Sequence, residues 1–149
     1  MPALFVIAHA PLASALHAAA RHVYADCDAC LVSYDVRADA SAAESEAEAD
    51  AALRALGPQP VLILTDVFGA TPCNVATHLA ERPDARLVAG VNLPMLWRAL
   101  NHRHQALDDL LELAVAGGRM GVMQVAVSAP QNQASTPFNH DPNDRHDQQ

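Results

Sequence analysis

Residues 61–76 have the sequence VLILTDVFGATPCNVA, whose strand, loop and helix patterns indicate the fold class. Its first five residues form a continuous apolar run closed by a threonine, which predicts a β-strand buried on both faces of a sheet. The segment 66–70 is predicted to be a loop. Thr71 as N-cap and Pro72 at the first helical position predict a helix that extends to about Glu81. A buried strand that leads through a short loop into a helix is typical of a parallel α/β sheet.

The N-terminus repeats this arrangement. Residues 3–16 have the sequence ALFVIAHAPLASAL, in which the apolar run 3–8 predicts a second strand of the fully buried type. Pro11 fits the first turn of a helix that we expect to reach about Tyr24.

Strand and helix patterns alternate along the rest of the chain. Ser41 and Glu44 have the spacing of a capping box, and Gly117 with Gly118 is predicted to end the last helix. The remaining strands are predicted at 30–36, 85–92 and 121–127, and the remaining helices at 41–56, 94–100 and 107–118. This alternation predicts an α/β fold of the doubly wound class, with a mostly parallel sheet and helices on both faces.

The length of 149 residues suits a single domain, which we place at 1–127. From Ser128 onward the composition changes to proline, glutamine, asparagine, aspartate and histidine. We therefore expect 128–149 to be a polar, disordered tail.

The charge balance excludes some classes of partner. Nine basic residues, all arginine, stand against 17 acidic residues, for a formal net charge of −8. Because nucleic acids require clustered positive charge, we expect no nucleic-acid partner, whereas a basic protein surface would be complementary. No apolar run approaches the roughly 18 residues that span a bilayer, and the N-terminus lacks the features of a signal peptide. We expect a cytoplasmic protein with reduced thiols and no direct membrane insertion.

Two polar side chains follow the two most apolar strands. His9 ends the first run, and Asp66 comes directly after the run that ends at Thr65. Ligands of parallel α/β sheets bind beyond the carboxyl ends of the strands, so these side chains are candidates for a functional pair. A carboxylate that accepts the N–H of one ring nitrogen fixes the tautomer, and it leaves the other nitrogen as a base, a nucleophile or a metal ligand.

The loop after Asp66 adds a candidate anion site. Gly69 permits close approach of the backbone, and Thr71 with Pro72 begins a helix whose first N–H groups and dipole favour a phosphoryl group. A nucleophilic nitrogen that faces an anion site is what a phosphohistidine carrier requires.

Three segments carry a resemblance to a known family. VIAHAPLASAL, LTDVFGATPCNVA and VAGVNLPML resemble, in order and spacing, the motif regions of the mannose-type IIA components of the phosphoenolpyruvate-dependent sugar phosphotransferase system (PTS). The resemblance implies that phospho-HPr phosphorylates His9 on its ε nitrogen and that Asp66 orients the imidazole. It also implies that Thr71, with the amides of Gly69 and Ala70, holds the phosphoryl group, and that no metal or cofactor takes part.

The resemblance further implies a homodimer in which a last, antiparallel edge strand, here 121–127, is exchanged between subunits. Many transport members continue through a linker into a IIB domain, the usual acceptor, whereas the segment after 127 is short and polar. Two roles therefore stay open. The chain either passes phosphate to a IIB-type protein for sugar uptake, or it is a regulatory module whose phosphorylation state controls another protein. Ala8 and Ala10 replace the glycine that is common beside the histidine in this family.

Other motifs favour simpler interpretations. CDAC at 27–30 is a C-x-x-C, but no second pair exists, so we interpret it as small, partly buried residues. No histidine outside the candidate pair shows metal-site spacing, and His17 is interpreted with the others as a surface residue.

Related classes fit the sequence less well. A two-component receiver needs acidic residues after the first strand and a lysine near the last, and this chain contains no lysine. The phosphotransfer subunit of dihydroxyacetone kinase uses a related domain, but its loop lacks the GATP pattern found at 69–72.

Overall fold

The structure is a computed structural model that describes residues 1–127. The predicted tail, 128–149, lies outside the described residues. The strands are β1 (Ala3–His9), β2 (Leu31–Val36), β3 (Val61–Thr65) and β4 (Ala85–Ala89). The helices are α1 (Leu12–Arg21), α2 (Ala42–Arg54), α3 (Thr71–Leu79), α4 (Leu93–Asn101) and α5 (Leu107–Met120), and a short 3-10 helix spans Cys27–Ala29. Among these elements, no helix is long and apolar enough to cross a membrane.

The four strands form one parallel sheet in the order β2-β1-β3-β4. From β1 the chain first adds β2 on one side and then returns to add β3 on the other. The order therefore reverses between β1 and β3, and crevices at such a reversal are where parallel α/β sheets bind ligands. Register pairs Ile7 with Thr65, so His9 and Asp66 both follow at the carboxyl edge of the sheet.

Helices cover both faces of the sheet, as predicted. Leu4 and Val6 of β1 pack into a core with α1, α4 and α5, whereas Phe5 and Ile7 pack into a second core with α2 and α3. Because successive side chains of a strand point to opposite faces, a strand buried on both sides must be apolar at every position. This requirement explains the continuous apolar runs and confirms the doubly wound α/β class.

The observed ends of the helices and of β4 agree only in part with those predicted from local sequence. Helix α2 begins with the predicted capping box, in which the Glu44 N–H donates to Ser41 Oγ at 3.2 Å and the Ser41 N–H donates to Glu44 Oε2 at 2.8 Å. Helices α1, α2 and α3 each end two or three residues earlier than predicted. Strand β4 ends at Ala89, because Gly90 turns the chain at a φ of 90°.

The prediction that Gly117 and Gly118 end the last helix is wrong. Helix α5 continues through both glycines to Met120. A Cβ atom at Gly117 would lie 2.6 Å from Cβ of Arg98 on α4, so the glycine lets the two helices approach each other closely. Its role is long-range packing, and a single segment of sequence cannot distinguish that role from a helix stop.

The predicted strand at 121–127 is not formed in the single chain. Residues 122–127 have no regular secondary structure, and their apolar side chains are exposed, from 73% at Met123 to 88% at Val127. Exchange of this segment between two copies stays a prediction.

Candidate functional site

His9 is the last residue of β1 and the first whose side chain leaves the core. The six preceding residues are buried, whereas 53% of the His9 side chain is exposed to solvent. The strand therefore holds the histidine backbone rigidly while its imidazole stays accessible from outside.

Asp66 lies directly after β3, and its side chain is only 8% exposed. Its Oδ2 atom accepts a hydrogen bond from the backbone N–H of His9 at 3.0 Å and lies 2.6 Å from Nδ1 of the same residue. The other oxygen, Oδ1, accepts from the Val67 N–H at 2.8 Å and from the Thr65 hydroxyl at 3.4 Å. Both carboxylate oxygens are thus fixed, and one of them holds the histidine.

The hydrogen bonds determine the charge state of Asp66. Burial raises the pKa of this carboxyl, but the hydrogen bonds from the His9 backbone, the His9 ring and the Val67 backbone outweigh burial, so the pKa is lowered. Asp66 is therefore ionised at neutral pH and can only accept. It follows that Nδ1 of His9 carries the shared proton, and that Nε2 of the neutral ring presents its lone pair away from Asp66.

The segment after Asp66 turns tightly into α3. The Ala70 N–H donates to the Val67 carbonyl at 3.3 Å, and Gly69 has a φ of 80°, in the left-handed region that glycine adopts without strain. The prediction that Thr71 is the N-cap is wrong. Ala70 occupies the cap position with an extended backbone, and Thr71 is the first helical residue. No side-chain hydrogen bond caps α3, and the exposed Thr71 hydroxyl is not used to begin its own helix.

The structure brings the predicted residues together to different degrees. His9 and Asp66 are in direct contact through two hydrogen bonds. Gly69, Ala70 and Thr71 lie three to five residues further along the chain, at the start of α3, and within residues 1–127 no hydrogen bond joins them to His9. The helix start nevertheless follows the same strand end as Asp66, so the first N–H groups of α3, which have no partner within the helix, lie at the carboxyl edge of the sheet.

Three contributions to this site are not predicted by the sequence patterns. The Thr65 hydroxyl, fully buried, steadies Asp66, and the only sequence signal was a threonine closing an apolar run. Val67 and Phe68 were assigned to a loop without a role. They are 56% and 86% exposed directly beside Asp66, which is unusual for large apolar side chains.

A sequence model of one family matches the chain. The family described as "PTS system fructose IIA component" (EIIA-man) aligns with residues 3–115, which include every strand of the sheet. The chain belongs to this family, the mannose-type IIA components of the sugar phosphotransferase system.

Individual relatives agree with this assignment. The chain is 51% identical over 53 residues to the PTS system fructose-specific EIIA component of Bacillus subtilis (strain 168), a match that spans 34% of this chain and 36% of that relative. A mannose/sorbose-specific IIA subunit from Enterococcus faecalis is similar in structure, with a TM-score of 0.77 and 27% identity over 86% of this chain and 97% of the other. The EIIA component from Streptococcus agalactiae shares the fold, with a TM-score of 0.73 at 23% identity over 83% of this chain and 97% of the other.

Proposed function

We propose that this chain is a phosphoryl carrier that accepts phosphate from phospho-HPr on Nε2 of His9 and passes it to a IIB-type acceptor. The observation that carries the proposal is the 2.6 Å contact between Nδ1 of His9 and Oδ2 of Asp66. This contact selects the tautomer in which Nε2 is the nucleophile, and it leaves that nitrogen on an exposed side chain.

The transfer itself needs one bond made and one broken. The Nε2 lone pair attacks phosphorus, the new N–P bond forms, and the bond between phosphorus and the donor breaks with its electron pair returning to the donor. The ring becomes a positively charged phosphoimidazolium, because Nδ1 keeps its proton. Asp66 stabilises this charge, since its carboxylate is ionised and already in place. Transfer to the acceptor reverses the same steps.

The start of α3 supplies the complementary site for the phosphoryl oxygens. We assign their contacts to the amides of Gly69 and Ala70 and to the hydroxyl and amide of Thr71. The positive end of the helix dipole favours the anion, and the absence of a side-chain cap on α3 leaves room for it. No metal or cofactor is needed for this chemistry.

The surface around His9 suits protein partners. Val67 and Phe68 offer an exposed apolar contact beside the nucleophile, and the chain as a whole is acidic, with a formal net charge of −8. A donor or acceptor with a basic face and a small apolar recess would match both properties.

The functional domain in this proposal is 1–127, and it works as a homodimer. The support is the row of exposed apolar side chains in 122–127 and the outer edge of β4, which no other strand within residues 1–127 pairs and which that segment of a second copy can pair. Sedimentation velocity on the full chain should give twice the mass of one chain. Val125→Asp should shift it to the monomer, and an unchanged monomer in both samples would remove the dimer from the proposal.

The carrier itself is tested by intact mass after incubation with phosphoenolpyruvate, enzyme I and HPr. The expected result is one acid-labile phosphoryl group per chain, absent in His9→Ala. His78→Ala is a matched control, because that histidine is similarly exposed, at 58%, and also contacts a carboxylate. Label that survives His9→Ala, or no label with active HPr, would overturn the proposal.

The acceptor is tested separately by adding candidate proteins to the labelled chain. A purified IIB domain in equimolar amount should accept the phosphoryl group, so that the label moves from this chain to the IIB domain. If it does not, and a partner binds one phosphorylation state selectively, the regulatory role replaces the transport role while the chemistry at His9 stands.

A further inference from the structure

A second group of chemically active side chains lies away from the His9–Asp66 pair. His17 of α1, Cys27 and Asp28 each place one potential ligand atom in a cluster whose members are all within 4.8 Å of one another. Cys27 and Asp28 belong to the short 3-10 helix that precedes β2, so they lie near the amino edge of the sheet. His9 and Asp66 occupy the opposite, carboxyl edge.

The imidazole of His17 is held by contacts at both ring nitrogens. Its Nδ1 atom lies 3.1 Å from the Ser33 hydroxyl, and its Nε2 atom lies 2.8 Å from Oδ1 of Asp28. The side chain is only 19% exposed. Because the Asp28 carboxylate can only accept, Nε2 carries a proton in the metal-free chain, and the Ser33 hydroxyl can donate to Nδ1 of the neutral ring. A cation on Nε2 takes the place of that proton, and the same hydroxyl can then accept from Nδ1–H, as outer contacts do in known metal sites.

The other two ligand atoms are also constrained. Cys27 is 3% exposed, so its thiol is confined beside His17. Asp28 uses Oδ2 to contact the Arg21 guanidinium at 3.3 Å, which leaves Oδ1 facing the histidine. Arg21 therefore holds the carboxylate in place without occupying the oxygen that belongs to the cluster.

We infer that this cluster binds one Zn²⁺ ion through His17 Nε2, Cys27 Sγ and Asp28 Oδ1, with solvent in the fourth position. Imidazole, thiolate and carboxylate are the ligand types that zinc prefers. Tetrahedral zinc places a nitrogen and an oxygen ligand about 3.3 Å apart, so the 2.8 Å pair must separate slightly. On binding, the thiol releases its proton to solvent, and Nε2 of His17 gives up its proton while Nδ1 carries the one that the neutral ring keeps. The two negative charges of thiolate and carboxylate balance the ion.

The C-x-x-C motif does not supply this site in the usual way. The Cys30 thiol donates to the Cys27 carbonyl at 3.2 Å, so it is turned toward the backbone. The site instead joins Cys27 of the motif to His17, which lies ten residues earlier in the chain on α1. Bound zinc would link α1 to the segment before β2, and this function is independent of phosphoryl transfer.

The test uses the full chain, stripped of metal with a chelator and titrated with Co²⁺ and then with Zn²⁺. We expect one cobalt ion per chain, a near-ultraviolet thiolate-to-cobalt charge-transfer band, and loss of that band when zinc displaces cobalt. Cys27→Ser should abolish the band, and His17→Gln should weaken cobalt and zinc affinity about 10- to 100-fold. Cys30→Ser is the matched control, because it also removes a buried thiol yet should keep the band.

Circular dichroism of each metal-free variant separates loss of ligand from loss of fold, and His17→Gln provides a half-buried substitution if Cys27→Ser does not fold. A chain that gives no charge-transfer band overturns the inference. A band that survives Cys27→Ser, or one that Cys30→Ser removes from a folded chain, overturns the ligand set. Phosphorylation from phospho-HPr should be unchanged in His17→Gln, so failure of either proposal leaves the other testable.

Discussion

The backbone N–H and the Nδ1 atom of His9 both contact the same oxygen of Asp66, at 3.0 and 2.6 Å. One carboxylate oxygen therefore fixes the end of β1 and the orientation of the imidazole together. Because Asp66 follows β3, this contact also joins the two strands between which the strand order reverses. The position of the proposed nucleophile is thus set by sheet topology, and its tautomer is set by a single side chain.

Asp66→Asn should slow phosphorylation of His9 by at least about 10-fold, since loss of the outer partner of a metal-bound histidine already costs about 10- to 100-fold. The amide can present its NH2 group to Nδ1, which favours the wrong tautomer, and it cannot stabilise the positive ring. The measurement is the single-turnover rate of phosphoryl transfer from phospho-HPr by rapid quench. Asp39→Asn, at an exposed carboxylate, is the control for a lost negative charge. Equal rates in the two variants would remove Asp66 from the mechanism.

The lowered pKa of Asp66 makes a prediction about acid stability. Its folded-state pKa lies below the unfolded value of about 3.9, so the unfolded chain binds more protons in this range and stability rises with pH. The contribution of Asp66 is complete above about pH 5 and is lost as pH falls through the folded-state pKa. Urea unfolding should therefore show a difference between wild type and Asp66→Asn at pH 6 that shrinks below pH 4. A difference that stays constant over this range would contradict the assignment.

The packing of α5 on α4 predicts unequal effects at two adjacent glycines. A Cβ at Gly117 would meet the Cβ of Arg98 at 2.6 Å, close to the backbone, where little can move. A Cβ at Gly118 would meet mainly the Cε of Met95 at 2.7 Å, the end of a flexible side chain. Gly117→Ala should destabilise the fold by about 1–3 kcal/mol despite the higher helix propensity of alanine, and Gly118→Ala should destabilise it less. Urea denaturation of both variants checks the order, and the reverse order would contradict the packing described.

Much of this fold could be predicted because the decisive signals are local. The run at 61–65 predicts the observed bounds of β3, Val61–Thr65. A strand buried on both faces has no solvent-exposed position, so its apolar pattern is continuous from end to end. His9 and Asp66 could be placed together because parallel strands align their carboxyl ends. The contact between them then follows from the pairing of β1 with β3.

The features that escaped prediction depend on parts of the chain that are distant in sequence. Gly117 has the local signature of a helix stop, and only the approach of α4 explains it. The N-cap of α3 is Ala70 and not the predicted Thr71, because the extended backbone of Ala70 begins the helix without a side-chain hydrogen bond. His17 meets Cys27 and Asp28 only after α1 folds back along β2, so no spacing rule reveals the cluster.

Gly69 and Gly57 offer a matched test of the loop beside His9. Both have positive φ, 80° and 77°, and a Cβ at either position would meet no atom within 4 Å. Alanine should therefore strain the backbone equally, and each substitution should lower the free energy of unfolding by about 1–2 kcal/mol. Gly57 follows α2 at the amino edge of the sheet, whereas Gly69 lies in the proposed phosphoryl site.

Gly69→Ala should also reduce the rate of phosphorylation by phospho-HPr, because a shifted turn moves the amides of Ala70 and Thr71 away from the phosphoryl oxygens. Gly57→Ala should leave that rate unchanged. Equal rates in the two variants, at equal loss of stability, would mean that this loop does not bind the phosphoryl group.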